Sequence, residues 1–358
     1  MDLFLELIRI SLTDKSELPR IFDTKEWQRA FRMSVKQSVA GVVFEGIKRL
    51  PAEQRPDRDL LMQWITTYEN IRHQNMLLNK RASTLCRILK KDGWRCCVLK
   101  GQGLALLYPD PLERTSGDID VWMDGGRKNI LKYVRPTGKD TEVLYHHTDY
   151  HIFDDVEVET HFTPSWMNAY FNNRRLQRWF ASMAERQFNH LVKLPDNEGA
   201  IYIPTTEFNR VYILIHIYRH FFSEGIGLRQ LVDYFYVLRQ PVSNEIRTET
   251  FTTLKMLGMM RFAAAVMYIM NSVFGLEDSS LVTEPNANDG RLLLGEVMRA
   301  GNFGKYDDRR RVPRNRFEKL WLWSCRSIKY ITKFPEEVLW GPVFKAWQFG
   351  WRTKNGYL

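Results

Sequence analysis

The sequence predicts an α+β fold in which a small mixed β-sheet is flanked by an N-terminal helical layer and a C-terminal helical domain. Three observations lead there. Apolar residues recur at three and four residue spacing through residues 1–92, alternation with a period of two is confined to the stretch between Trp94 and Phe162, and helical spacing returns from Glu207 onward. The expected divisions are 1–92, 93–205 and 206–358.

In the first region Leu3, Leu7 and Ile10 form one helical stripe and Phe31, Val35, Val39 and Val43 another. From Arg58 to Lys91 there is neither Gly nor Pro, so one long helix is expected, stopped at Lys91-Asp92-Gly93. Strands are expected at Trp94–Leu99, Asp118–Met123, Glu142–Tyr145, Tyr150–Phe153 and Val156–Phe162, with a turn at Gly101-Gln102-Gly103 and a helix at Leu104–Tyr108. Helices resume in EFNRVYILIHIYRHFF, LRQLVDYFYVLRQ and TETFTTLKMLGMMRFAAAVMYIMNSVFG, separated by Gly225-Ile226-Gly227 and by Pro241–Asn244. The polar stretch 276–290 reads as an exposed loop. Near the C-terminus a basic cluster (Arg309, Arg310, Arg311, Arg314, Arg316) precedes Trp321, Trp323, Trp340, Trp347 and Trp351. That pattern suits either single-stranded nucleic acid or an amphipathic helix with Trp321, Ile328 and Ile331 inward, and the interleaving favours the helix.

With 358 residues, 44% of them hydrophobic, the chain has enough apolar material for two or three packed subdomains, which excludes a disordered chain. Lys and Arg number 52 against 42 Asp and Glu, and the net charge of +10 suits a polyanionic partner without requiring one. None of Cys86, Cys96, Cys97 and Cys325 forms a C-x-x-C pair, so no zinc or redox site is expected from the cysteines. The N-terminus has acidic Asp2 and Glu6 and no signal-peptide pattern, and no apolar run approaches the ~20 residues of a membrane span. A cytoplasmic protein with no membrane partner is expected.

In Gly117-Asp118-Ile119-Asp120 the two carboxylates stand two apart on a strand and so share one face. Such a pair repels unless a cation lies between its members, which is what holding Mg²⁺ requires. A bare D-x-D is more often a solvated strand face. Its weight grows with a second acidic strand, where alternation sets Glu157, Glu159 and His161 on one face and Val156, Val158 and Thr160 on the other. Either glutamate is then a candidate third ligand, and the alternative is an edge strand with an acidic outer face. Upstream, Lys100, Gly101 and Gln102 end a strand and open a helix, a place where backbone N–H groups meet phosphate, with Lys100 and Arg114 as charge-matched partners. The same glycines serve equally to make a turn.

Lys100-Gly101, Leu104, Tyr108, Arg114 and Gly117-Asp118-Ile119-Asp120, followed by Glu159-Thr160-His161, resemble the LKG…Y…R…GDIDL…E-x-H pattern of the uncharacterised bacterial nucleotidyltransferases of the DNA polymerase beta superfamily. The likeness continues at His216, His220 and Leu228-Arg229-Gln230-Leu231-Val232-Asp233 and weakly at Gly301-Asn302-Phe303-Gly304, covering about residues 90–305. It implies a minimal αβ nucleotidyltransferase core and a helical domain that closes over the nucleotide. It further implies that Asp118, Asp120 and Glu159 hold two Mg²⁺ or Mn²⁺ ions. Lys100, Gly101, Gln102, Arg114, Gly117, His220 and Arg229 would contact the nucleotide. The expected reaction is transfer of an NMP from an NTP to an acceptor hydroxyl, the acceptor being RNA, protein or a small molecule. Departures are Gln102 where the superfamily usually has Ser, and bulky Trp122 beside the metal site. A non-catalytic nucleotide- or partner-binding module, such as a toxin–antitoxin component, is the alternative, and a nuclease or phosphohydrolase leaves the phosphate loop without a role.

His216 and His220 lie four apart on one helix face but are not followed by the Glu of a zinc H-E-x-x-H motif. They are expected to bond a nucleotide or anchor the helix, and no zinc site is expected. Arg229 and Asp233, also four apart, suit an intrahelical ion pair, or else Arg229 reaches phosphate across the cleft.

Overall fold

The computed structural model describes residues 2–137, 142–307, 318 and 327–357. It shows the α+β class directly: most of the chain is helical, around a four-stranded mixed sheet and a separate two-stranded one.

Helix α1 (Leu3–Leu12) starts on Asp2, whose carboxylate accepts the Phe4 N–H, and α2 (Thr24–Lys36) starts on a reciprocal box between Asp23 and Glu26. Helix α3 (Ala40–Arg49) passes so close to the chain at Glu113 that a Cβ on Gly41 would stand 2.1 Å from the Glu113 carbonyl. Helix α4 (Arg58–Lys91) is the expected long one. Asp57 caps it, and Gly93, at φ +82°, ends it. Its 34 residues extend about 50 Å and join two cores. Leu60, Trp64 and Tyr68 belong to the first, while Leu78, Ala82, Leu85, Cys86 and Leu89 belong to the second.

The first core is shared by the N-terminal helices and the C-terminal ones: Leu7 and Val43 lie in the same cluster as Phe208, Tyr234 and Phe262. Gln37 connects the two regions, donating to the Val297 carbonyl and accepting from the Leu228 N–H. The C-terminal elements are α8 (Thr206–Ser223), α9 (Leu228–Arg239), α10 (Asn244–Met256), α11 (Met260–Tyr268), α12 (Ala287–Ala300) and α13 (Pro335–Lys354). The long helix expected over residues 248–275 is two, because Gly258 takes φ +72° between α10 and α11. The expected loop at 276–290 gives its last residues to α12, which Asn286 caps. Of the proposed amphipathic set, Ile331 packs inward, Ile328 is exposed, and Trp321 lies outside the described residues, as do Trp323, Cys325 and the five arginines between 309 and 316.

The second core lies behind the sheet. Strands β1 (Cys96–Val98), β2 (Ile119–Met123), β3 (His147–Asp149) and β4 (Val158–His161) are ordered β1-β2-β4-β3, with β2 and β4 parallel and both outer pairs antiparallel. Val98, Val121 and Val158 pack on α4. The strands expected at Glu142–Tyr145 and Tyr150–Phe153 are replaced by one, β3, lying between them. The chain doubles back at Leu144, whose N–H reaches the His147 carbonyl, and leaves Val143 as a single bridge to Thr148. Between Leu99 and β2 lies the short α5 (Gly101–Ala105), and α6 (Arg127–Val134), α7 (Tyr170–Phe188) and the hairpin β5 (Leu191–Lys193) with β6 (Ala200–Tyr202) complete the core. These last four elements had no counterpart in the sequence reading.

Candidate active site

Alternation decides which residues of the sheet meet the helices of the C-terminal half. Opposite the valines, β2 presents Asp120, with Asp118 just ahead of the strand on the same side, and β4 presents Glu159 and His161. The parallel register sets Asp120 beside Glu159 and Trp122 beside His161. Trp122 does not crowd the acids. Its ring packs on Phe188 at 4.6 Å and stacks towards Phe208 at 6.2 Å, in the helical core. Glu157 stands exposed ahead of β4, and its carbonyl accepts the Ile119 N–H, so Glu159 is the glutamate that the fold brings to Asp120.

Asp120 is buried and doubly engaged, with Oδ2 2.8 Å from the Lys100 ammonium and Oδ1 2.8 Å from His161 Nε2. Burial works to raise its pKa, but Lys100 and His161 outweigh it and hold the carboxylate well below its usual range. Glu159 follows the same balance, its Oε2 lying 2.8 Å from His147 Nδ1 and 3.6 Å from His161 Nε2. Asp118 goes the other way: burial and then the neighbouring charge of Asp120 raise its pKa. The histidine between the acids is itself raised, since its bonds to Asp120 and Glu159 overcome its burial. One ligand atom each from Asp120, Glu159 and His161 lies within 4.8 Å of the others.

Lys100, Gly101, Arg114, Gly117, Asp118, Asp120, His216 and Arg229 line one cleft, with Asp233 and Phe303 at its helical wall. Gly101 adopts φ +48° where the chain turns from Lys100 into α5. Gly103 has a packing role, since a Cβ there would stand 2.9 Å from Ile203.

Several residues sit differently from expectation. The Gln102 side chain turns away from the cleft to donate to Asn79 Oδ1 at 2.6 Å, leaving its backbone as the part near Gly101. Arg114 is committed to Asp233 through two bonds, Nε to Oδ1 at 2.7 Å and Nη2 to Oδ2 at 2.9 Å, and Tyr108 donates to the same Oδ1. Of the two readings of Arg229, the intrahelical pair with Asp233 does not form: Arg229 donates to the Thr115 carbonyl at 2.8 Å, and its guanidinium lies over Phe303. His220 is one layer back, bonded to Glu224 and Arg219 and packed on His216 and Phe303, and burial lowers its pKa to about 4. Lining falls to His216, one turn nearer the sheet. Functional candidates that the sequence reading left out are His146, His147 and, as an acid-bridging group, His161. The last was legible, being two residues past Glu159; the others depend on how the loop before β3 folds back.

Among the described residues no helix is long and apolar enough to cross a membrane. Residues 23–275 match the model of a family described as uncharacterised nucleotidyltransferase. Among solved structures the chain is similar to an antigenic nucleotidyltransferase-like protein from Paracoccidioides brasiliensis, at 15% identity and a TM-score of 0.33, over 59% of this chain and 94% of that one. No curated protein matches.

Proposed function

We propose that this chain, which belongs to the uncharacterised nucleotidyltransferase family, transfers an NMP from an NTP to an acceptor hydroxyl and releases pyrophosphate. The observation that carries this is the pairing of Asp120 with Glu159 across parallel strands, with Asp118 two residues ahead on the same face. The set fits a hard divalent cation. Its donors are carboxylate oxygens, and the pKa of Asp118, raised first by burial and then by the charge of Asp120, reflects a desolvation and a like charge that a cation relieves. Asp118, Asp120 and Glu159 would hold Mg²⁺ or Mn²⁺, which when bound neutralises phosphate charge and acidifies the acceptor hydroxyl.

The remaining roles fall to the chain's own groups. Lys100 is tied to Asp120 by one ion pair and is free to exchange it for a phosphate oxygen. Arg229, which spends one N–H on a carbonyl and leaves Nε without a partner among the described residues, reaches phosphate from the opposite wall. His216 and Gly101 border the same space, and Gly117 and Arg114 hold the approach to Asp118, Arg114 through Asp233. The acceptor oxygen attacks the α-phosphorus, the bond to the β-phosphate oxygen breaks, and pyrophosphate carries away the leaving charge. In this reading Glu159 takes the hydroxyl proton.

Melting of the full chain with each NTP tests the binding half of this reading. The expected result is stabilisation that needs both nucleotide and Mg²⁺, about 2.7 kcal/mol at a hundredfold excess over Kd, and that disappears in Asp118→Asn/Asp120→Asn. Equal stabilisation in a chelator would count against the carboxylates, and none under any condition would favour a protein-binding module.

A further inference from the structure

We propose that His146, His147 and His161 form a binding site for one borderline divalent cation of the zinc class, distinct in donor chemistry from the carboxylate site it adjoins. The absence of zinc spacing among the cysteines, and the lone pair His216 and His220, gave no reason to expect one. The fold supplies what the spacing lacks, because the loop before β3 turns back and register sets His147 opposite His161.

The three rings face one another, with centroids 4.1 Å apart for His146 and His147 and 5.3 Å from each to His161. One nitrogen from each lies within 4.8 Å of the other two. Three imidazole nitrogens on one tetrahedral ion stand about 3.3 Å apart, so each has less than about 1 Å to move. His146 and His161 are both 2% exposed, and the Nδ1 of each is buried with no hydrogen-bond partner among the described residues. Buried donors or acceptors without partners are rare in folded proteins, and two of them on rings of one cluster point to a ligand. The surroundings are those of a metal-ligating histidine. Asp120 and Glu159 lie 2.8 Å from the other ligand rings, His161 and His147, and carboxylates in that position orient imidazole and raise its basicity. Imidazole selects zinc, cobalt and nickel over magnesium, which prefers oxygen.

The test uses full-length protein stripped with a chelator and titrated with Co²⁺, read by visible absorption. The expected result is one equivalent bound with the intense bands of a nitrogen-rich site, retained in a large excess of Mg²⁺ and displaced by Zn²⁺. His146→Ala, which touches none of the carboxylates, should weaken Co²⁺ binding at least tenfold and leave Mg²⁺-dependent nucleotide stabilisation in place. His146→Gln, read the same way, replaces it if the first variant does not fold, and zinc-edge absorption of the wild type counts imidazole ligands directly. A wild-type zinc shell of oxygens alone, Co²⁺ that Mg²⁺ displaces, or undiminished binding in a folded variant would overturn the proposal. In the wild type, no nucleotide stabilisation while Co²⁺ binds as expected would instead bear on the transferase reading.

Discussion

The two faces of the four-stranded sheet are built from the same strands and differ in almost everything else. Behind the sheet, Cys96, Val98, Ile119, Val121, Met123 and Val158 are at most 3% exposed and close against Leu78, Leu85 and Leu89 of α4. In front, alternate residues of the same strands present Asp120, Glu159 and His161, and the burial of these groups is offset only by the pairs they form. Stability and chemistry are thus separated by one residue of register, and a slip of one would exchange them. The apolar face carries the free energy that lets the other face hold like charges together.

The sharpest break in that comparison is at Asp120. Replacing it with asparagine, which still offers an oxygen to Lys100 and His161, should lower transfer by about 10³-fold, the several kcal/mol a bound metal contributes, with a smaller effect on the melting temperature. Kinetics and calorimetry on one preparation check both halves. Next is Arg114→Ala, which leaves Asp233 buried without its partner and should destabilise by about 3–5 kcal/mol in denaturant titration; Arg114→Met with Asp233→Leu should recover most of it. On the rear face Val121→Ala should cost about 2 kcal/mol and leave turnover per folded molecule unchanged, the reverse of Asp120.

Smaller effects sharpen the front face. Asp118 has a folded pKa raised by burial and by Asp120, so its contribution to stability is complete below its unfolded pKa and is lost as pH rises through the folded one. Asp118→Asn should therefore melt higher than wild type at neutral pH, and the difference should vanish in melts taken below about pH 4, even though transfer is lost. Smallest is Glu157→Gln. It shares the alternation of Glu159 but stands exposed, and a change within about 0.5 kcal/mol with full activity would separate the two glutamates.

What was legible followed from period. The long α4 announced itself by 34 residues without Gly or Pro, and the shared face of Asp118 and Asp120, and of Glu159 and His161, followed from two-residue alternation. Pairings across the chain were not legible. Local spacing allowed Arg229 to pair with Asp233 without deciding for it, and Asp233 takes Arg114 from a loop 119 residues earlier because that loop lies against α9. The three-residue strands β5 and β6 are too short to show a period, and the buried stripe of α7, Asn172, Leu176, Phe180 and Phe188, is interrupted by arginines and polar residues. His146 and His147, neighbours that strand alternation would set on opposite sides, meet His161 because the loop turns at Leu144.

Incubation of the pure chain with each α-labelled NTP and Mg²⁺ or Mn²⁺, alone and with cellular RNA, beside Asp118→Ala/Asp120→Ala, tests the central claim most directly. The account predicts label moving to RNA, to protein or to a small molecule in the wild type alone, which also identifies the acceptor class. Label moving equally in the double variant, or in neither protein, would contradict it.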